Sequence, residues 1–131
     1  MSTKIKIMIV DDTPETRKNL RKLLEFEDDM EVVGEAGNGQ EAIELATQIR
    51  PDVVLMDVNM PVMDGIQATE RMSLNLPQVA IIILSVQGEQ EYLRKAMSAG
   101  AREYLTKPPG SEELIQTIRR VYEIEKKRQL N

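Results

Sequence analysis

The chain has 131 residues, 41% apolar and 30% charged, the make-up of one ordinary globular domain with a single hydrophobic core. It carries no cysteine and no histidine, which removes disulfides, thiolate or imidazole metal sites, and histidine acid–base or phosphohistidine chemistry. A net charge of −5 argues against a sequence-independent grip on nucleic acid, and no apolar run reaches the roughly 20 residues of a membrane span.

The first apolar run, Ile5–Val10, predicts a strand. Thr13 followed by Pro14 then reads as an N-cap with proline at the first helical position, and Leu20, Leu23 and Leu24 form the stripe of that helix. Glu31–Ala36 predicts a second strand. Asn38 with Glu41 three residues on resembles a capping box, opening a helix with Ala42, Leu45, Ala46 and Ile49 on one face. A third strand is predicted over Val53–Met56, and a helix around Ile66 to Met72 that follows an Asp64–Gly65 turn. Ala80–Leu84 is the fourth strand, with Leu93, Ala96 and Met97 at helical spacing behind it. Ala101–Leu105 is the fifth. Ser111 and two glutamates then suit a helix N-terminus, and Leu114, Ile118 and Val121 give that helix an apolar face. The first, third and fourth strands are almost wholly β-branched or aliphatic, as strands buried on both faces are. The methionines read as core filler.

Strand and helix alternate five times, which predicts an α/β fold with a parallel sheet, helices on both faces and right-handed crossovers. Five units fit a doubly wound, flavodoxin-like sheet of order 2-1-3-4-5 better than a barrel, which needs eight. Residues 1–124 are expected to form this domain, with 125–131 a charged helix end or the start of a linker.

In an open α/β sheet, ligands bind beyond the carboxyl ends of the strands, where strand order reverses. The first strand ends in Asp11 and Asp12, the third in Asp57 and the fourth in Ser85, and Lys107 lies just past the fifth. An aspartate after a strand is, taken singly, most often a cap or turn residue. Here every strand on the crevice side delivers one part of the same polar set. Three crowded carboxylates repel, so a proton or a cation must neutralise them. Without histidine or cysteine the cation must be held by oxygen, which favours hard cations such as Mg²⁺ or Ca²⁺; Mg²⁺, with Mn²⁺ as a substitute, suits a site that shares oxygens with a phosphoryl group. A carboxylate beside that ion can attack phosphorus and form an acyl phosphate, while Lys107 neutralises one phosphoryl oxygen and Ser85 donates to another.

The segments IVDD (9–12), LMDVNMPVMDG (55–65), ILS (83–85) and YLTKP (104–108) resemble, in order and spacing, the four signature blocks of bacterial two-component response-regulator receiver domains of the chemotaxis-regulator type. The resemblance covers residue 4 to about 124. It implies that Asp57 is the phosphoacceptor, that Asp11 and Asp12 serve Mg²⁺, and that Asn59 ligates it through its backbone carbonyl. It further implies Ser85 and Tyr104 as switch residues, Lys107 as the phosphoryl-binding cation, and a cis bond between Lys107 and Pro108. Met60, Pro61 and Gly65 fit the loop after the phosphoacceptor. Pro109 and Gly110 depart from the family, which often has an apolar residue there.

On this resemblance the chain is a cytoplasmic signalling domain and not an enzyme in its own right. It takes a phosphoryl group from a sensor histidine kinase or phosphotransfer protein, then signals through the face of helix four, strand five and helix five. The recipient is an output domain or effector protein, and phosphorylation can drive homodimerisation; membrane and nucleic acid are not expected partners of this domain. The chain reads as a stand-alone receiver or as one whose tail, EIEKKRQLN, leads to an output domain. Two alternatives stand beside this reading. A haloacid-dehalogenase-type phosphohydrolase also uses an aspartyl nucleophile and Mg²⁺, but on the first strand with a second aspartate two residues on. A pseudo-receiver would keep the fold as a docking module without phosphorylation.

Overall fold

The structure is a computed structural model, described here for residues 3–86 and 90–130. Its elements are β1 (Ile5–Val10), α1 (Pro14–Glu25), β2 (Met30–Ala36), α2 (Gly39–Ile49), β3 (Val53–Asp57), α3 (Gly65–Asn75), β4 (Ala80–Val86), α4 (Gln90–Ala99), β5 (Glu103–Lys107) and α5 (Ser111–Leu130). The strands form one parallel sheet of order β2-β1-β3-β4-β5, as the alternation predicts. β3 and β4 run one and two residues further than their apolar runs, so Asp57 and Ser85 are strand residues and not the first residues of loops. β5 is displaced toward the C-terminus relative to Ala101–Leu105 and takes in Lys107.

Alternation along each strand splits the core in two. Ile5, Ile7 and Ile9 of β1, Val53 and Leu55 of β3, and Ile82 and Leu84 of β4 meet Leu20 and Leu24 of α1 and Leu114, Ile118 and Val121 of α5. Met8, Val10, Val54, Met56, Ile81 and Ile83 face Ala42 and Ala46 of α2, Ala68 and Met72 of α3 and Ala96 of α4. The small residues on α2 and α4 let those helices lie close to the sheet. Met8, Met30, Met56, Met63 and Met72 are buried, as core filler should be.

Local signals hold with three adjustments. Thr13 is the N-cap residue of α1, but its side chain makes no capping bond; Pro14 at the first helical position removes one of the orphan amide donors instead. Asn38 Oδ1 accepts from the Glu41 amide at 2.9 Å, while Glu41 reaches back to the Gly37 amide rather than to that of Asn38. Asp64 is the N-cap of α3, accepting from the Gln67 amide at 2.8 Å. On α4 only Ala96 of the predicted stripe is buried: Leu93 and Met97 remain 44% and 45% exposed. The charged tail is helical through Leu130, and Glu125 within it is buried against Arg102; Asn131 lies outside the described residues.

Candidate functional site

Asp11, at the end of β1, and Asp57, the last residue of β3, both follow the strand positions that face α1 and α5, because they sit an even number of residues beyond Ile9 and Leu55. Lys107 is in phase with Leu105 on the same side. Three strands of the parallel sheet, β1, β3 and β5, therefore deliver three charged groups to one end of one sheet face. Oxygen atoms of Asp11, Asp12 and Asp57 all lie within 4.8 Å of one another. Asp11 is 2% exposed and Asp57 9%, whereas Asp12 stands at the exposed rim.

Lys107 Nζ bridges the two buried carboxylates, 2.5 Å from Asp11 Oδ2 and 3.2 Å from Asp57 Oδ1. Asp57 Oδ1 also accepts from the Val58 amide at 2.9 Å, and Asp11 Oδ1 from the Thr13 amide at 2.8 Å. One cation does not balance three carboxylates. Burial, and after it the charge of Asp11, push the Asp57 carboxyl up to about 6 against the pull of Lys107 and the Val58 amide. Burial works against the Lys107 ammonium, yet hydrogen bonding and charge from Asp11 and Asp57 outweigh it and raise its pKa. The pocket is short of positive charge. A donor set made only of oxygen, two of its three members buried and one holding an abnormally avid carboxyl, fits a hard divalent cation.

The other predicted site residues stand around this cluster. Asp57 is in register with Leu84, so Ser85 is the next β4 residue along the same edge, 1% exposed. Tyr104 is opposite Ile83 on β5, half-buried against the cluster that contains Ala96 of α4. It thus lies on the other sheet face from Asp57, away from the carboxylates. Asn59 is exposed two residues past Asp57. The Lys107–Pro108 bond is cis.

Two further residues shape the pocket. A Cβ on Gly65 would lie 1.9 Å from the Asp57 carbonyl oxygen, and the Gly65 amide donates to the Val58 carbonyl at 2.8 Å; only glycine lets the start of α3 close down on the end of β3. Arg17 went unnoticed in the sequence. Its guanidinium donates to the Asp11 carbonyl at 2.5 Å, and the one visible clue was a cation placed one turn into α1.

A doubly wound parallel sheet of order 2-1-3-4-5 with an acidic pocket and a lysine beyond its strand ends defines a flavodoxin-like α/β domain with its ligand site at the switch point. Residues 7–119 match the family model described as the response regulator receiver domain, and the chain belongs to that family, a component of two-component phosphorelay signalling. It is 44% identical over 113 residues to the uncharacterised transcriptional regulatory protein YhcZ of Bacillus subtilis, covering 86% of this chain and 53% of that protein. It is 37% identical over 118 residues to the response regulator GacA of Pseudomonas aeruginosa, covering 90% of this chain and 55% of that one. The chain thus spans about half the length of these relatives. Among solved structures, the response regulator domain of Thermotoga maritima CheB superposes with a TM-score of 0.84 at 32% identity, over 92% of this chain and 97% of that one. Membership of this family sets aside the haloacid-dehalogenase-type alternative. Among the described residues, no helix is long and apolar enough to cross a membrane.

Proposed function

We propose that this domain, over residues 1–124, is a phosphorylation switch in which Asp57 accepts a phosphoryl group from the phosphohistidine of a sensor kinase or phosphotransfer protein. The observation that carries this reading is the meeting of Asp11, Asp12 and Asp57 within 4.8 Å, with Lys107 bridging the two buried members. Asp11, Asp12, Asp57 and the Asn59 carbonyl would hold Mg²⁺ or Mn²⁺. When bound, the ion supplies the positive charge that lets three carboxylates and an anionic donor share one pocket.

At neutral pH a carboxyl near 6 is mostly ionised, so Asp57 is available as a nucleophile. Its oxygen forms a bond to phosphorus as the donor's P–N bond breaks, and the electron pair returns to the donor imidazole, which takes up a proton. Lys107 Nζ, already between Asp11 and Asp57, would neutralise one phosphoryl oxygen. Ser85, at the end of β4, donates to a second one. The groove between α1 and the Pro108–Pro109 turn, lined by Leu20, Leu23 and Leu84, opens beside Lys107 and gives the donor an apolar footing.

The new group adds close to two negative charges and strong acceptors. Movement of Ser85 toward it frees space on the α4 side, which Tyr104 turns inward to fill, and the face of α4, β5 and α5 changes shape. That face addresses an output domain, an effector or a second copy, in proportion to their differential affinity for the two states. The domain is in this sense a reactant and a switch rather than an enzyme, and its setting is the cytoplasm. Relatives include transcriptional regulatory proteins, so the output this face addresses would be of that kind. The test is incubation with acetyl phosphate and Mg²⁺, read by intact mass. The wild-type chain should gain one phosphoryl group and Asp57→Asn none. Incorporation that survives in Asp57→Asn would remove Asp57 from the role, and none in wild type would remove the function.

A further inference from the structure

Arg17 lies between the pocket and the sheet edge. Its Nη1 donates to the Asp11 carbonyl at 2.5 Å and its Nε to Glu35 Oε1 on β2 at 3.0 Å. Glu35 Oε2 in turn accepts from Arg21 at 2.7 Å. The Arg17 side chain is only 20% exposed, so these bonds are largely shielded from water. They complete the fastening of Asp11: its amide donates to the Ala36 carbonyl at 3.0 Å, its Oδ1 accepts from Thr13 and its Oδ2 from Lys107. The amide bond belongs to the β1–β2 edge, and the Lys107 bond belongs to the site chemistry. Arg17 is the side chain that fixes the main chain of Asp11 from outside the pocket.

We propose that Arg17 is a positioning residue for the metal site, holding the Asp11–Asp12 turn in ligating geometry through the Asp11 carbonyl, with Glu35 aiming its guanidinium. The inference rests on the reading of Asp11 and Asp12 as metal ligands. The physical need is plain. Mg²⁺ demands near-ideal octahedral geometry and tolerates little ligand displacement, and Asp11 and Asp12 sit where the chain leaves a strand and enters a helix. A planar guanidinium can bond in two fixed directions at once, to a β2 carboxylate and a β1 carbonyl; an ammonium cannot hold that fork. Geometry and charge pull oppositely here. Removing Arg17 releases the turn, which weakens metal binding, and deletes a cation near the site, which strengthens it. The cation is already paired with Glu35, so geometry dominates.

The experiment is Mg²⁺ titration of the 131-residue chain by NMR, comparing wild type, Arg17→Met, Arg17→Lys, Glu35→Gln and Arg119→Met. The last breaks another ion-pair cluster, with Glu27 and Asp29, and controls for general loosening. Both Arg17 variants should bind Mg²⁺ about 10-fold more weakly, the low end for partners that orient metal ligands. Glu35→Gln should show a smaller loss and Arg119→Met none. Affinity unchanged or raised in the Arg17 variants would overturn the proposal, as would an equal loss in Arg119→Met. Should both Arg17 variants fail to fold, Glu35→Gln decides: wild-type affinity there overturns it. A wild-type chain blind to Mg²⁺ would instead sink the metal site itself.

Discussion

The Asp57 carboxyl stands at about 6 where 3.8 is ordinary, chiefly because it is buried and next because Asp11 is beside it. A raised carboxyl means that the folded state holds its proton more tightly than the unfolded chain does. Its contribution to stability is therefore complete below pH 3.8 and is lost as pH climbs through 6. Fully ionised without metal, Asp57 costs the fold about 3 kcal/mol, at roughly 1.4 kcal/mol per pH unit. Water at the open rim beside Asp12 screens part of this, leaving about 1–2 kcal/mol. Asp57→Asn keeps the shape and removes the charge. In EDTA, the variant should be more stable than wild type by about 1–2 kcal/mol at pH 7.5, or roughly 3–8 °C in melting temperature. The advantage should shrink below pH 6 and vanish near pH 4. Urea denaturation at several pH values, followed by circular dichroism, measures it. Parallel curves for the two proteins from pH 4 to 8 would refute the claim that the pocket is short of positive charge.

Mg²⁺ should stabilise wild type and leave Asp57→Asn nearly unmoved, and its affinity for wild type should fall as pH drops below about 6, where the proton competes for Asp57; calorimetry at pH 5 and 7.5 checks both. Val62 holds φ +70° with 82% of its surface exposed, a conformation that a β-branched side chain rarely adopts. Val62→Asn should therefore stabilise the chain by about 0.5–1 kcal/mol, read as a higher melting temperature. Gly100, at φ +112°, has no room for a Cβ, which would meet Ser73 Oγ at 2.1 Å. Gly100→Ala should destabilise by about 2–4 kcal/mol in urea, and Gly100→Ala with Ser73→Gly should recover part of the loss.

Much of this molecule is local enough to be read from its residues. The all-aliphatic runs at Ile5–Val10, Val53–Met56 and Ala80–Leu84 mark strands covered on both faces, because nothing polar interrupts them on either parity. Asn38, with its acceptor oxygen, opens α2 as its side chain predicts. Thr13 shows the limit. It stands at the N-cap of α1 with no side-chain capping bond, and its amide is held instead by the Asp11 carboxylate. Leu93 and Met97 mark another. Helical spacing tells which residues share a face, not whether that face meets the sheet, and here α4 seats only Ala96 in the core.

The order of the elements, the sheet type, and which strand-ends carry acid, hydroxyl and lysine are all legible in the residues, since each follows from a period of two or 3.6 or from a short motif. Composition alone also rules out imidazole and thiolate chemistry. The long-range fold alone puts Asp11, Asp57 and Lys107 on the same sheet face, sets the Lys107 ammonium between Asp57 and an Asp11 that is 96 residues away from it in the chain, and ties down Asp11 with Arg17. The elevated Asp57 carboxyl belongs with these. Burial, charge proximity and the direction of a guanidinium depend on strand register and helix docking, which are long-range quantities that no window of neighbouring residues contains.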